Sequence, residues 1–83
     1  MAYEIEWMPK AALTMADLDK ETKIRIIKKV EELKLAPYHF AERLTNSNCW
    51  KLRIGDYRVI MDIIEEKRLV QILMVGHRKN IYK

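Results

Sequence analysis

The dipeptide Gly55-Asp56 constrains the fold more than any other feature of the sequence, because it separates two runs with the pattern of β-strands. Residues Trp50–Ile54 alternate between apolar and cationic side chains, and residues Tyr57–Ile64 are rich in β-branched and aromatic side chains. A Gly-Asp pair between two such runs predicts a two-residue hairpin turn, and a turn of that length fixes the register of the strands. Arg53 is therefore predicted to lie directly opposite Arg58.

The rest of the chain predicts helices and two more strands. Tyr3 to Trp7 alternates as a half-buried strand, a short helix is predicted from Pro9 to about Asp17, and Leu69 to Val75 is apolar enough for a central strand. Asp19 is placed to cap a stronger helix that runs to about Leu35, before a polar connection over residues 37–48. The apolar stripe of that helix is predicted to comprise Ile24, Ile26, Ile27, Val30 and Leu33.

These elements predict an α+β fold, with an N-terminal strand and a helical hairpin packed on one face of a small twisted antiparallel β-sheet. The face predicted to meet the helices carries Trp50, Leu52, Ile54, Tyr57, Val59, Met61, Ile63, Val70, Ile72 and Met74. The opposite face is predicted to carry Lys51, Arg53, Arg58, Ile60, Asp62, Gln71, Leu73 and Val75. We expect basic residues on this second face, beside an apolar floor.

Length and composition restrict what the chain can be. Its 83 residues fit a single domain, 1–83, and the single Cys49 excludes an internal disulfide. The acidic N-terminus lacks the pattern of a signal peptide, and no apolar run approaches the roughly 18 residues of a membrane span. We therefore expect a cytoplasmic protein with no membrane association, no metal site and no cofactor. The net charge of +4 favours an anionic partner.

The predicted pairing of Arg53 with Arg58 is a local conflict. Like charges that face each other across two strands destabilise a sheet by about 0.2–1 kcal/mol, and an anionic ligand would remove that cost. Guanidinium groups match the oxygens of phosphate in pairs, so the arginines favour a phosphate site. The alternative is that Asp56, Asp62 or a glutamate from the tail or from the connection over residues 37–48 neutralises them.

The C-terminal run adds further groups suited to nucleic acid. His77, Arg78, Lys79 and Tyr82 follow the predicted central strand directly, and Gly76 permits a sharp exit from it. An imidazole or a phenol can transfer a proton, and a tyrosine ring can stack on a base. Alternatively, His77 is a surface histidine beside a turn and Tyr82 closes the core.

Two segments together resemble the RelE/ParE toxin superfamily. They are the hairpin from Cys49 to Ile60, with its Lys-x-Arg and Gly-Asp-Tyr-Arg motifs, and the end of the chain from Val75 to Tyr82, which contains Val-Gly-His-Arg. The order of the predicted elements agrees with that superfamily over essentially the full chain. The resemblance implies the toxin of a type II toxin–antitoxin system, inhibited by a RelB-like antitoxin that wraps it with helical segments.

For the RelE branch, the resemblance implies an enzyme that inhibits translation and acts in the stress response. Such a toxin is a metal-independent endoribonuclease that binds the ribosome and its rRNA and cuts mRNA in the A site. The ribose 2′-hydroxyl attacks the adjacent phosphate and leaves a cyclic phosphate and a free 5′-hydroxyl. For the ParE branch, the implied activity is inhibition of DNA gyrase without nuclease activity. A catalytically degenerate binding module is the third alternative.

The resemblance also implies site residues, namely Lys51, Arg53, Arg58, Arg78 and Tyr82. With His77 added for the chemistry of its imidazole, the predicted catalytic residues are Lys51, Arg53, Arg58, His77, Arg78 and Tyr82. With Lys79 added for its charge, the predicted RNA-binding residues are Lys51, Arg53, Arg58, Arg78 and Lys79. Arg53 stands where the reference RelE pattern has a lysine proposed as the general base. Because arginine does not release its proton at neutral pH, we expect Lys51 or His77 to act as the base. Arg58 and Arg78 are then expected to hold the phosphate, and Tyr82 to stack on or orient the nucleotide.

Overall fold

A computed structural model describes residues 2–78 of the chain. Its strands are β1 (Glu4–Trp7), β2 (Glu42–Arg43), β3 (Trp50–Ile54), β4 (Tyr57–Ile64) and β5 (Leu69–His77), and its helices are α1 (Pro9–Ala16), α2 (Lys20–Glu32) and α3 (Pro37–Phe40). A short 3₁₀ turn, Glu65–Lys67, joins β4 to β5. Within the described residues, no helix is long and apolar enough to cross a membrane.

The strands form one sheet in the order β1-β5-β4-β3-β2, so that β5 has neighbours on both sides as predicted. The hairpins β3–β4 and β4–β5 are antiparallel, and Arg53 faces Arg58 in the predicted register. The prediction of a purely antiparallel sheet is wrong, because β1 joins the edge of β5 in parallel orientation. The helices α1 and α2 connect β1 to the rest of the sheet, which makes the longer crossover that a parallel pair needs.

Helix α2 begins where its sequence predicts. The side chain of Asp19 accepts a hydrogen bond from Thr22 N at 3.1 Å and thereby caps the helix. This bond lowers the pKa of Asp19, because it favours the charged carboxylate. On the helix, Ile26 is buried in the core, whereas Ile27 is 42% exposed. The predicted stripe was too wide, since Ile24 and Ile27 lie at its solvent border.

A β-bulge corrects the predicted faces of β5. Ile60 pairs with Met74 while Met61 pairs with Ile72, so Leu73 is an extra residue in β5. An extra residue reverses the alternation of the side chains that follow it. Val75 therefore lies in the core, and Met74 lies beside Ile60 on the other face, the reverse of the prediction.

The connection over residues 37–48 contains more structure than its sequence indicates. Pro37 begins the single turn of α3, and Glu42–Arg43 adds a short edge strand to β3. Pro37 and Ala41 are buried, so this segment is fixed to the body of the protein rather than running freely over its surface. It brings new side chains to the sheet face that carries the basic residues.

Candidate functional site

A cavity of about 140 Å³ lies on the sheet face opposite the helices α1 and α2. Its lining residues, which we call the basic pocket, are Phe40, Glu42, Lys51, Arg53 and Arg58. The structure thus brings together three of the predicted site residues and adds an aromatic ring and a carboxylate.

Strand register explains why these side chains meet. Arg53 pairs with Arg58 across β3 and β4, and Lys51 pairs with Glu42 across β3 and β2. Residues two apart on a strand point to the same face, so Lys51 and Arg53 are side by side. Gly76 on β5 is the partner of Arg58 and places no side chain over it.

Arg58 is the one buried charged residue in the part of the chain that the structure describes, with 7% of its surface exposed. Its Nη1 donates hydrogen bonds to the backbone oxygens of Tyr57 at 3.1 Å and Gly55 at 3.4 Å. Over residues 2–78, no carboxylate lies within the ion-pair distance of 4.0 Å of Lys51, Arg53 or Arg58. Burying a cation without a counterion is costly, and the pocket therefore favours an anionic ligand.

A second groove continues the basic surface from Arg53 around the hairpin turn. It has a volume of about 330 Å³ and is lined by Arg25, Lys28, Lys29, Glu32, Arg53, Ile54 and Gly55. The guanidinium of Arg25 packs on Gly55, where an added Cβ would lie 2.6 Å from its Nη2. Gly55 also has φ of +59°, so both its conformation and the close approach of Arg25 favour glycine.

The structure separates His77 from the basic pocket. His77 pairs with Tyr57 at the end of β5, on the face that carries the core, and their rings make an edge contact at 5.5 Å. Arg78 is exposed, and its backbone N–H donates to the oxygen of Asp56 at 2.7 Å, which places its backbone beside the β3–β4 turn. The predicted site residues Lys79 and Tyr82 lie outside the described residues.

Sequence reasoning missed Phe40, and it considered Glu42, the glutamate of the connection over residues 37–48, only as a group that neutralises the arginines. Phe40 is the last residue of α3 and Glu42 lies in a two-residue strand, and neither element has a periodic pattern long enough to predict. One signal was available, because Phe40 is the single phenylalanine of the chain and lies in a connection of largely polar residues. In the structure it is 40% exposed. The described residues contain no cluster of three or more His, Cys, Asp or Glu that could hold a metal ion.

The opposite end of the sheet, at the β4–β5 turn, carries a different polar cluster, which we call the Glu65 cluster. Tyr3 and Tyr38 donate hydrogen bonds to the same oxygen of Glu65, Oε1, at 2.7 and 2.8 Å. Arg68 donates to the Tyr3 hydroxyl at 3.1 Å and lies 3.6 Å from Glu65 Oε2. Every charged group in this cluster has a partner within the protein.

These contacts shift the titration of the cluster. The hydrogen bonds from Tyr3 and Tyr38 hold the pKa of Glu65 below its ordinary value. Partial burial and the bond to Glu65 raise the pKa of Tyr38 to about 12. The cluster is therefore held in one protonation state, with a charged carboxylate and neutral phenols, throughout the neutral range.

Comparison with solved structures places this fold among bacterial and archaeal toxins. The RelBE2 toxin–antitoxin complex of Mycobacterium tuberculosis matches with a TM-score of 0.84 at 22% identity, over 94% of this chain and 100% of that chain. The intact RelBE complex of E. coli matches with a TM-score of 0.80 at 28% identity, over 92% of this chain and 96% of that chain. The RelE–RelB complex of Pyrococcus horikoshii matches with a TM-score of 0.81 at 22% identity, over 96% of this chain and 99% of that chain.

The fold and its basic face therefore define a toxin of the RelE/ParE superfamily. Residues 5–82 match the model of the ParE toxin of type II toxin–antitoxin systems, parDE, and the chain belongs to that family. A search among curated protein sequences gives no match. The predicted resemblance and the predicted RelE-like α+β fold are confirmed.

Proposed function

We propose that the chain is a ribosome-dependent endoribonuclease that cleaves mRNA in the A site. The observation that carries this proposal is the basic pocket, where Lys51, Arg53 and the buried Arg58 converge without a carboxylate at ion-pair distance within the described residues. A site that only stabilised the fold would neutralise these cations. The likeness to E. coli RelE at 28% identity supports the same activity.

In this proposal the arginines bind the scissile phosphate. Arg58 is fixed by two backbone oxygens, so its free N–H groups are oriented before the substrate arrives. Arg53 faces it from the neighbouring strand and supplies a second guanidinium. Two positive groups stabilise the extra negative charge of the five-coordinate phosphorus more than that of the ground state, which lowers the barrier.

Glu42 and Lys51 are suited to the proton transfers. They are cross-strand neighbours in the basic pocket, whereas His77, an alternative base from the sequence, lies on the other face. Glu42 accepts the proton of the ribose 2′-hydroxyl as its oxygen bonds to phosphorus. The bond from phosphorus to the 5′-oxygen breaks, and Lys51 donates a proton to that oxygen. The products are a 2′,3′-cyclic phosphate and a 5′-hydroxyl end.

The remaining predicted residues flank this centre. Arg78 begins beside the β3–β4 turn and is proposed to bind the RNA backbone next to the scissile phosphate. Phe40, at the wall of the pocket, is proposed to contact a base or sugar of the same strand. Lys79 as an RNA contact and Tyr82 as a stacking residue remain predictions from the sequence.

We also propose that a RelB-like antitoxin inhibits the chain. The similar solved structures include complexes of RelE with RelB from bacteria and archaea. An acidic segment of the antitoxin would be attracted to the basic pocket and would compete with RNA for it. An apolar groove of about 330 Å³ between α1 and α2, with Met15 and Ile27 in its lining, would accept the apolar side of a helical segment.

Inhibition of DNA gyrase is the second candidate function, and the match to the ParE family model favours it. In that case the RelE/ParE fold is retained, but the cations need not bind a phosphate. In this alternative, the groove lined by Arg25, Lys28 and Lys29 is a candidate basic surface for contact with the target. The two candidates differ in their macromolecular target and can be separated in vitro.

The test is an in vitro translation assay with the purified chain, in which primer extension maps the mRNA ends with and without ribosomes. We expect discrete cuts inside A-site codons that require ribosomes and disappear in Arg58→Ala. Intact mRNA with a folded protein would contradict the nuclease proposal. A parallel supercoiling assay with gyrase identifies the ParE-like alternative, and inactivity in both assays would indicate a degenerate binding module.

A further inference from the structure

We propose that Tyr38 is a positioning residue that holds one wall of the basic pocket from the far side of the sheet. The wall consists of residues 40–42, which supply Phe40 and Glu42 to the pocket, and we call it the wall segment. This inference rests on the proposed nuclease function and extends it, because it assigns Tyr38 and its bond to Glu65 a positioning role that neither the sequence nor the comparisons indicate.

Tyr38 is fixed at both ends of its side chain. Its hydroxyl donates to Glu65 Oε1 at 2.8 Å, and its ring makes edge contacts with the rings of Trp50 at 5.1 Å and Tyr3 at 6.4 Å. Trp50 lies on the core face of β3, next to Lys51 of the pocket. Tyr38 therefore lies against the core side of the sheet, whereas Phe40 reaches the opposite face.

The chain must cross the edge of the sheet between these two side chains. Tyr38 and Phe40 are both in α3, and Glu42 follows in β2, so that only Ala41 separates α3 from the edge strand. A rotation of α3 about its axis would move Phe40 and Glu42 together. The hydroxyl of Tyr38 opposes that rotation because it is bonded to a carboxylate in a different hairpin.

The sheet itself holds the wall segment weakly. Strand β2 has two residues, and its pairing with β3 comprises Glu42 with Lys51 and Arg43 with Trp50. Burial of Pro37 and Ala41 fixes the position of the backbone, and the bond from Ala41 N to Pro37 O closes the turn. Tyr38 is thus the side chain that connects the wall segment to the rigid β4–β5 hairpin.

Two hydroxyl groups share one oxygen of Glu65, and this supplies a matched pair of variants. Tyr38→Phe and Tyr3→Phe each remove a hydrogen bond to Glu65 Oε1, and each leaves its ring in place. Tyr3→Phe also removes the hydroxyl that accepts from Arg68, so it is the more disruptive change to the cluster. Although the Tyr3 ring contacts that of Tyr38, Tyr3 precedes β1, which lies at the other edge of the sheet from β2. Only the loss of the hydrogen bond from Tyr38 frees the wall segment to move. We therefore expect only Tyr38→Phe to change the pocket.

The experiment measures kcat and KM for ribosome-dependent mRNA cleavage by both variants, together with their free energies of unfolding in urea. We expect Tyr38→Phe to lower kcat about tenfold with KM within about twofold of wild type, because a misplaced Glu42 slows the chemistry while Arg58 still binds phosphate. Tyr3→Phe should retain the kcat of wild type. Glu65→Gln, which keeps an acceptor oxygen, should lose less activity than Glu65→Ala.

Equal kcat values for Tyr38→Phe and wild type would overturn the inference. So would equal losses in the two tyrosine variants, since these would show an effect of stability alone. If the wild type does not cleave RNA, the proposed function fails, and hydrogen exchange then tests the positioning separately. The amides of Ala41 and Leu44, which donate to Pro37 and Cys49, should exchange at least about tenfold faster in Tyr38→Phe but not in Tyr3→Phe.

Discussion

The two hairpin turns at opposite ends of the sheet differ in whether their arginines have a carboxylate partner within the protein. At the β4–β5 turn, Glu65 accepts two tyrosine hydroxyls and lies within ion-pair distance of Arg68. At the β3–β4 turn, Arg53 and Arg58 face each other, with no carboxylate at ion-pair distance in residues 2–78. Within the described residues, the fold therefore gives Arg68 a carboxylate partner and gives none to Arg53 or Arg58.

The difference indicates which end acts on another molecule. A charge cluster that is complete within the protein contributes to structure, whereas a buried cation without a counterion reduces stability until an anion binds. Arg58 has its own backbone acceptors, so it keeps its geometry in the absence of ligand. In our proposals the β3–β4 end binds a phosphate, and the β4–β5 end holds the pocket wall in place.

Both ends depend on one core, and the largest expected effect on stability comes from that core. Ile72 of β5 is fully buried on the core face of the sheet, and Ile72→Ala should lower the free energy of unfolding by about 2–5 kcal/mol. Ile27→Ala, at a residue that is 42% exposed, should cost much less. Urea unfolding of both variants measures this difference, and equal losses would contradict the assignment of Ile27 to the border of the core.

Substitution of one arginine at each end tests the comparison directly. Arg58→Ala should reduce cleavage by about 10²–10³-fold, because it removes a preoriented donor to the phosphate. Arg68→Ala should leave cleavage near the wild-type rate and lower stability by roughly 0.2–1 kcal/mol, the range for exposed ion pairs. Primer extension with single-turnover rates measures the first effect, and urea unfolding measures the second.

The reverse pattern would show that the ends have been assigned wrongly. If Arg68→Ala abolished cleavage while Arg58→Ala remained active, the Glu65 cluster would be the functional site. If Arg58→Ala failed to fold, Arg58→Lys would serve as the second variant, because it keeps the charge and loses the planar fork. It should fold and cleave slowly.

Acid should weaken the β4–β5 end first. The pKa of Glu65 is lower in the folded protein than its ordinary value, so its contribution to stability is present above an ordinary pKa of about 4.3 and is lost as the pH falls through the folded value. Glu65→Gln should be less stable than wild type at neutral pH, and the gap in free energy of unfolding should shrink as the pH falls below about 4.3 and the carboxylate is protonated. A gap that persists at low pH would contradict this origin.

The smallest expected effect is a gain in stability at the β3–β4 end. Arg53→Thr removes a like charge opposite Arg58, so the free energy of unfolding should rise by about 0.2–1 kcal/mol at low salt. Binding of RNA should weaken in the same variant. Thermal unfolding at low and high salt measures the gain, which should shrink as salt screens the repulsion. A loss of stability would show that Arg53 has a partner in the folded protein.

The sequence was sufficient for the β3–β4 hairpin and its cations. A two-residue turn fixes register, so the pairing of Arg53 with Arg58 followed from Gly55-Asp56 alone, and Asp19 marked the start of α2. The bulge at Leu73 could not be predicted, because a continuous apolar run gives no alternation that would reveal an extra residue. That bulge is also the reason why His77 lies on the core face.

Local sequence patterns could not predict the wall segment or the residues that hold it in place. Glu42 meets Lys51 through a pairing of two residues, which leaves no periodic signal in the sequence. Tyr38 and Glu65 are separated by 27 residues, and Tyr3 and Glu65 by 62, so their contacts depend on the finished fold. The cations of a site can thus be predicted from one hairpin, whereas the groups that position them come from distant parts of the chain.

The most direct test of the difference between the two ends is an NMR titration with a short RNA whose reactive 2′-hydroxyl is methylated. The Nε–Hε resonances of arginine side chains report which guanidinium groups bind phosphate. We predict saturable shifts at Arg53 and Arg58 and none at Arg68. Shifts at Arg68, or an unchanged Arg58 while the RNA binds elsewhere, would contradict the assignment of the phosphate site to the β3–β4 end.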